Sequence, residues 1–224
     1  MNLITGFPRS GLHRIAYNVY SMIVGKPVRI DELEQFYPRV SKGRCLLRDN
    51  RFVKSHACAM DIDPDDVVIH TTRNPLDIVV SLDRFFPRID LKNAILYVTK
   101  GKRAMWIPKM YPLAMIGNWN DHVKSFLNRN PEKTLIVRYE DYGNKQMGDI
   151  AKFFGLVWQP EILEWNTIKH IKQEEKRTGA KMAHVGDGKI GKYKTILSVA
   201  EVEKVIISCS EMMERMGYDQ SKNS

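Results

Sequence analysis

Three short stretches of this chain carry side chains suited to group transfer on an anionic substrate. The first is Gly6-Phe-Pro-Arg-Ser-Gly11, between an apolar run and a helical pattern. Its G-x-x-x-x-G spacing is that of a phosphate-binding loop. Glycines there let backbone N–H groups face an anion, and the helix N-terminus adds its positive dipole end. Arg9 supplies a fixed cation and Ser10 a hydroxyl donor. A metal-dependent phosphoryl-transfer loop continues with lysine and then serine or threonine. Leu12 and His13 stand in those places, so the lysine for the outer phosphates and the Mg²⁺ ligand are both missing. Ordinary strand-to-helix turns share the same spacing.

The second stretch is Lys54-Ser-His56. Strand alternation puts residues 54 and 56 on one face, an ammonium beside an imidazole that ordinarily titrates near neutrality and can serve as a general base. His13 and His70 compete for that role, and the position of His70 just before Arg73 in an apolar run marks it as buried structure. The third stretch runs from Arg73 to Ser81. Arg73 follows the apolar residues 67–69, at a strand's carboxyl end, where α/β folds place ligands. Ser81 lies two helical turns on, roughly 12 Å along an axis rising 1.5 Å per residue. The bland alternative for Arg73 is a structural pair with Asp77.

The elements that position these groups are legible in the hydrophobic pattern. Residues 2–5 read as a strand, after which Leu12, Ile15, Ala16, Val19, Met22 and Ile23 recur at helical spacing. Further strands are expected at 52–53, 67–69 and 135–137, and helices around 75–84, 112–128, 145–154 and 198–216. Gly155 is the expected stop of the third of these helices. Ser198-Val-Ala-Glu201 opens the last one with a capping-box pattern. Strands alternating with helices predict a single α/β domain, its central parallel sheet flanked by helices.

Composition narrows the function classes. The chain has 224 residues with a formal net charge of +9, which invites an anionic partner. Residues 84–109 hold seven basic residues against Asp90 alone, and residues 167–194 hold eight against Glu174, Glu175 and Asp187. The second region includes a glycine- and charge-rich stretch, 174–192, expected to be mobile. Nucleic acid is not the expected partner, because stacking aromatics are not regularly interleaved with the basic runs. Cys45, Cys58 and Cys209 are too few and too widely spaced for a disulfide scaffold or a C-x-x-C metal site. No apolar run approaches the roughly 18 residues of a membrane span, and no secretory leader pattern is present. A cytoplasmic protein is the expectation.

Phe7-Pro-Arg-Ser-Gly11 resembles the 5′-phosphosulfate loop of the sulfotransferases. Other segments agree in the same order along residues 3–195. Lys54-Ser-His56 resembles that family's catalytic-histidine strand end. Arg73-Asn-Pro-Leu-Asp77, continuing to Ser81, resembles its 3′-phosphate motif. Ile136-Val-Arg-Tyr139-Glu-Asp141 resembles its Tyr-Glu-Asp strand end, and Lys189-Ile-Gly191-Lys-Tyr193-Lys194 is a weakened form of its C-terminal donor segment.

The resemblance implies a P-loop-like fold and a donor, 3′-phosphoadenosine-5′-phosphosulfate (PAPS), bound without metal. It implies donor contacts from Arg9, Ser10, Gly11, Leu12, His13, Arg14, Arg73, Ser81, Tyr139 and Lys189, with His56, Lys54 and Arg9 as the catalytic groups. Arg14 stands where the family has an adenine-stacking tryptophan, and its guanidinium plane can stack in turn. Gly186-Asp187 stands where the family has a basic pair, and Tyr193 replaces a tryptophan. Residues 84–111 are expected to cover a small-molecule or carbohydrate acceptor, and 174–192 to cap the donor. A P-loop kinase and a catalytically impaired nucleotide-binding partner module are the competing readings.

Overall fold

The first strand, β1 (Asn2–Gly6), is buried along nearly its whole length, as a central strand covered on both faces must be. The computed structural model describes residues 2–28, 39–40, 44–46, 52–56, 58–85, 89–101, 117–177 and 186–218. Five further strands follow: β2 (Arg39–Val40), β3 (Arg44–Leu46), β4 (Phe52–Ser55), β5 (Val67–Thr72) and β6 (Thr134–Arg138). They form one sheet in the order β2-β3-β4-β1-β5-β6. β4, β1, β5 and β6 run parallel, with Ile4 opposite both Lys54 and Ile69. The register aligns the carboxyl ends of β4, β1 and β5, so Gly6, His56 and Arg73 emerge at the same edge. β2 and β3 add an antiparallel edge that the hydrophobic pattern did not announce.

Nine α-helices lie among the described residues. α1 (Leu12–Val24) follows the first loop and stops at Gly25, whose left-handed φ of 65° lets its N–H reach the Ser21 carbonyl at 2.8 Å. α2 (Pro75–Phe85) starts with proline at its first turn, and the Asn74 side chain accepts the Leu76 N–H at 3.0 Å. α3 (Leu91–Lys100), α4 (Trp119–Leu127) and α5 (Asn144–Phe154) follow, then the short α6 (Glu161–Trp165), α7 (Ile168–Arg177) and α8 (Tyr193–Ile196). α9 (Val199–Arg215) opens with the complete Ser198–Glu201 capping box. Gly155 ends α5 with a φ of 65°.

The core lies on both faces of the sheet. One cluster joins Phe7 to α2, α3, α4 and α9; the other joins Ile4 and Ile69 to α1, α5, α6 and α7. α3 falls inside the segment expected to cover an acceptor, and it buries Ala94, Ile95, Tyr97 and Val98 in the first cluster. The basic residues around it masked an ordinary amphipathic helix. The rest of that expected cover, 86–88 and 102–111, lies outside the described residues, as do 178–185 of the expected donor cap and 112–116 of the helix expected over 112–128. Among the described residues no helix is long and apolar enough to cross a membrane.

Candidate functional site

Gly6 faces Thr71 so closely that a Cβ would lie 2.1 Å from the threonine Oγ1. The chain then turns, with Ser10 N–H donating to the Phe7 carbonyl at 3.1 Å. Arg9 adopts a positive φ of 69°, the only non-glycine among the described residues to do so. Backbone strain of this kind persists where surrounding contacts enforce it. Here Phe7 is fully buried against Tyr97 and His122, which pins the loop from below. Gly11, at φ 89°, lies against the Tyr139 ring, where a Cβ would approach Cδ2 to 2.2 Å. The Ser10 hydroxyl shares a 2.7 Å hydrogen bond with Thr71, which donates onward to the Thr5 carbonyl at 3.3 Å. Ser10 thus spends both its N–H and its hydroxyl proton inside the protein. The first N–H groups of α1, at Leu12 and His13, have no acceptor within their own helix.

His56 follows β4 and donates its Nδ1–H to the Gly6 carbonyl at 2.7 Å. That contact fixes the ring and leaves the lone pair on Nε2, the tautomer a base requires. The pKa expected near neutrality is instead lowered to about 4. Burial is the main cause, the Gly6 bond opposes it, and the charges of Lys54 and Arg9 add to it. The Lys54 ammonium donates to His13 Nδ1 at 3.1 Å, and the His13 ring rests edge-on against Tyr17. His70 is fully buried, stacked on Phe126 and joined to His122 at 3.1 Å, as befits a structural residue.

A cavity of about 320 Å³ opens between α2, α7 and residues 186–192. Arg9 turns into it, donating from Nε to Ser81 Oγ at 3.0 Å with its guanidinium 3.9 Å above the Phe85 ring. Arg73 lies over the Tyr139 ring at 4.4 Å and donates to the Lys189 carbonyl at 3.1 Å. The alternative Arg73–Asp77 pair is not formed. Asp77 is buried and accepts the Gly191 N–H at 2.8 Å, tying the C-terminal segment to α2. Glu140 accepts the Asn74 N–H at 2.9 Å, and burial raises its pKa. Arg14 stacks at 3.5 Å on Tyr142, which covers one face of its guanidinium.

The family model of the Sulfotransferase domain matches residues 3–217. The chain belongs to the sulfotransferase family. Sulfotransferase 4A1 of mouse is 26% identical over 220 residues, spanning 90% of this chain and 76% of that protein. Sulfotransferase 2A2 of rat is 28% identical over 114 residues, 47% of this chain and 39% of that protein. The crystal structure of mouse sulfotransferase SULT7A1 complexed with PAP shares the fold, with a TM-score of 0.65 at 15% identity, over 96% of this chain and 84% of that one.

Within this sulfotransferase the sequence-derived residues fall into two groups. Arg9, Arg73, Ser81, Tyr139 and Lys189 line one cavity, whereas Lys54, His56 and His13 gather at the carboxyl ends of β1 and β4. Arg84 and Lys172 also line the cavity and were not singled out; Lys192 lines it too. Lys172 projects from α7, a helix whose dense charge gave it the look of a solvated surface.

Proposed function

We propose that this sulfotransferase moves a sulfuryl group from PAPS to a hydroxyl or amine of a small-molecule or carbohydrate acceptor. The observation that carries the reading is the pairing of a cation-lined cavity, reached by Arg73 and Ser81, with a histidine held in the base tautomer beside Lys54. The donor's 3′-phosphate belongs with Arg73 and Ser81, and its 5′-phosphate with the Leu12 and His13 N–H groups. Nε2 of His56 takes the acceptor's proton as the acceptor oxygen or nitrogen forms a bond to sulfur. The bond from sulfur to the bridging phosphate oxygen breaks, and Lys54 meets the charge that develops there. Arg9, bonded to Ser81, links the loop to the 3′-phosphate side. Tyr142 leaves the second face of Arg14 for the adenine. The kinase alternative is set aside by the family match and by Leu12 in the place of the required lysine.

The test is transfer of radiolabelled sulfate from PAPS across a panel of phenols, alcohols, amines and acidic sugars. Turnover lost in His56→Ala supports the reading. PAP binding with no transfer to any acceptor favours a nucleotide-binding module instead.

A further inference from the structure

Six cations line the cavity: Arg9, Arg73, Arg84, Lys172, Lys189 and Lys192. Two carboxylates join them and behave differently. Asp77 is buried beneath the Gly191 N–H. Asp187 is exposed at the mouth, where its Oδ1 accepts the Lys189 N–H at 3.2 Å and its Oδ2 is ion-paired with the Lys192 ammonium. The charge of Arg84 also reaches it. A backbone N–H, an ammonium and a nearby guanidinium are the surroundings that bind a phosphate oxygen. In this chain they hold an internal carboxylate.

We propose that Asp187 sets the enzyme's selectivity for the donor's 3′-phosphate, holding Lys192 and the Lys189 N–H until that phosphate displaces it. The proposal rests on the donor reading above. The backbone need not move for the exchange. Arg73 holds the Lys189 carbonyl and Asp77 holds the Gly191 N–H, so the carboxylate leaves by side-chain rotation. Arg84 and Lys172 then join Lys192 around the incoming dianion. Because the phosphate must break the Asp187–Lys192 pair and bind beside a like charge, the 3′-phosphate adds less to affinity than the cation count suggests.

Calorimetric titration with PAP and with adenosine 5′-monophosphate, which lacks the 3′-phosphate, tests this. Asp187→Asn keeps an oxygen for the Lys189 N–H and removes the charge. It is expected to bind PAP about three- to tenfold tighter, with the monophosphate unchanged. Asp187→Ala is expected to shift PAP affinity the same way, which separates loss of charge from any effect of the retained amide. Unchanged or weaker PAP binding by both variants, or an equal gain for both nucleotides, overturns the proposal. Wild-type protein and Asp187 variants that all bind PAP no better than the monophosphate overturn the donor reading itself. A wild-type PAP preference with no response to the Asp187 variants removes only this inference.

Discussion

The Nδ1 contact and the burial of His56 together dictate an unusual pH profile. A fall from 6.5 to about 4 disfavours the imidazolium by about 3 kcal/mol, at roughly 1.4 kcal/mol per pKa unit. In the free enzyme Nε2 is therefore unprotonated throughout the physiological range. The acid limb of kcat/KM belongs near pH 4, well below the limb an ordinary histidine would give. A bound phosphosulfate brings negative charge beside the ring, which favours the imidazolium, so the limb in kcat at saturating donor lies above the one in kcat/KM. The assay is initial sulfuryl transfer across the acid range, in parent and His56→Ala, with folding followed by circular dichroism at each pH. His56→Ala is expected to lower kcat by about 10²–10⁴-fold and to lose the limb. A limb near 6 that survives in His56→Ala reports the second ionisation of the donor's phosphate, whose pKa is about 6. A limb in kcat/KM at 6–7 that disappears with His56 refutes the reasoning.

Arg73→Ala removes the contact to Lys189 and the cation over Tyr139. It is expected to weaken PAP binding by about 1.5–3 kcal/mol while adenosine 5′-monophosphate binding changes little, as read by calorimetry. Gly11→Ala forces a Cβ into the Tyr139 ring at a left-handed φ; denaturant midpoints should show a loss of about 1–3 kcal/mol. His56 and His70 both have folded-state pKa values depressed by burial. The unfolded chain takes up protons on both rings below about pH 6.5 and the folded chain does not, so the melting temperature should hold above that value and fall as the pH drops below it. A melting temperature flat from about pH 7.5 to about pH 5 contradicts this.

The parts of the site that the sequence revealed are those where neighbours in the chain are neighbours in space. The strand, loop and helix over residues 2–24 are one such unit, and Arg73 and Ser81 sit at one helix start and two turns along it. The parts that stayed hidden depend on long-range register. Lys54 meets His13 because β4 pairs with β1 and places a strand residue against a helix 41 positions earlier. Asp77 meets Gly191 across 114 positions, so its anchoring role could not be told from pairing with nearby Arg73. α3 was obscured by its charges although Leu91, Ala94, Ile95 and Val98 keep helical spacing. β2 and β3 are two and three residues long, too short for alternation to register.

A crystal structure of this protein with PAP decides where each of the two phosphates binds. The 3′-phosphate is expected within hydrogen-bond distance of Arg73 and Ser81, the 5′-phosphate on the N–H groups of Leu12 and His13, and Lys54 and His56 on the sulfuryl side of that phosphate. A nucleotide whose 3′-phosphate lies away from Arg73 and Ser81, or whose 5′-phosphate lies away from the 6–13 loop, contradicts this placement.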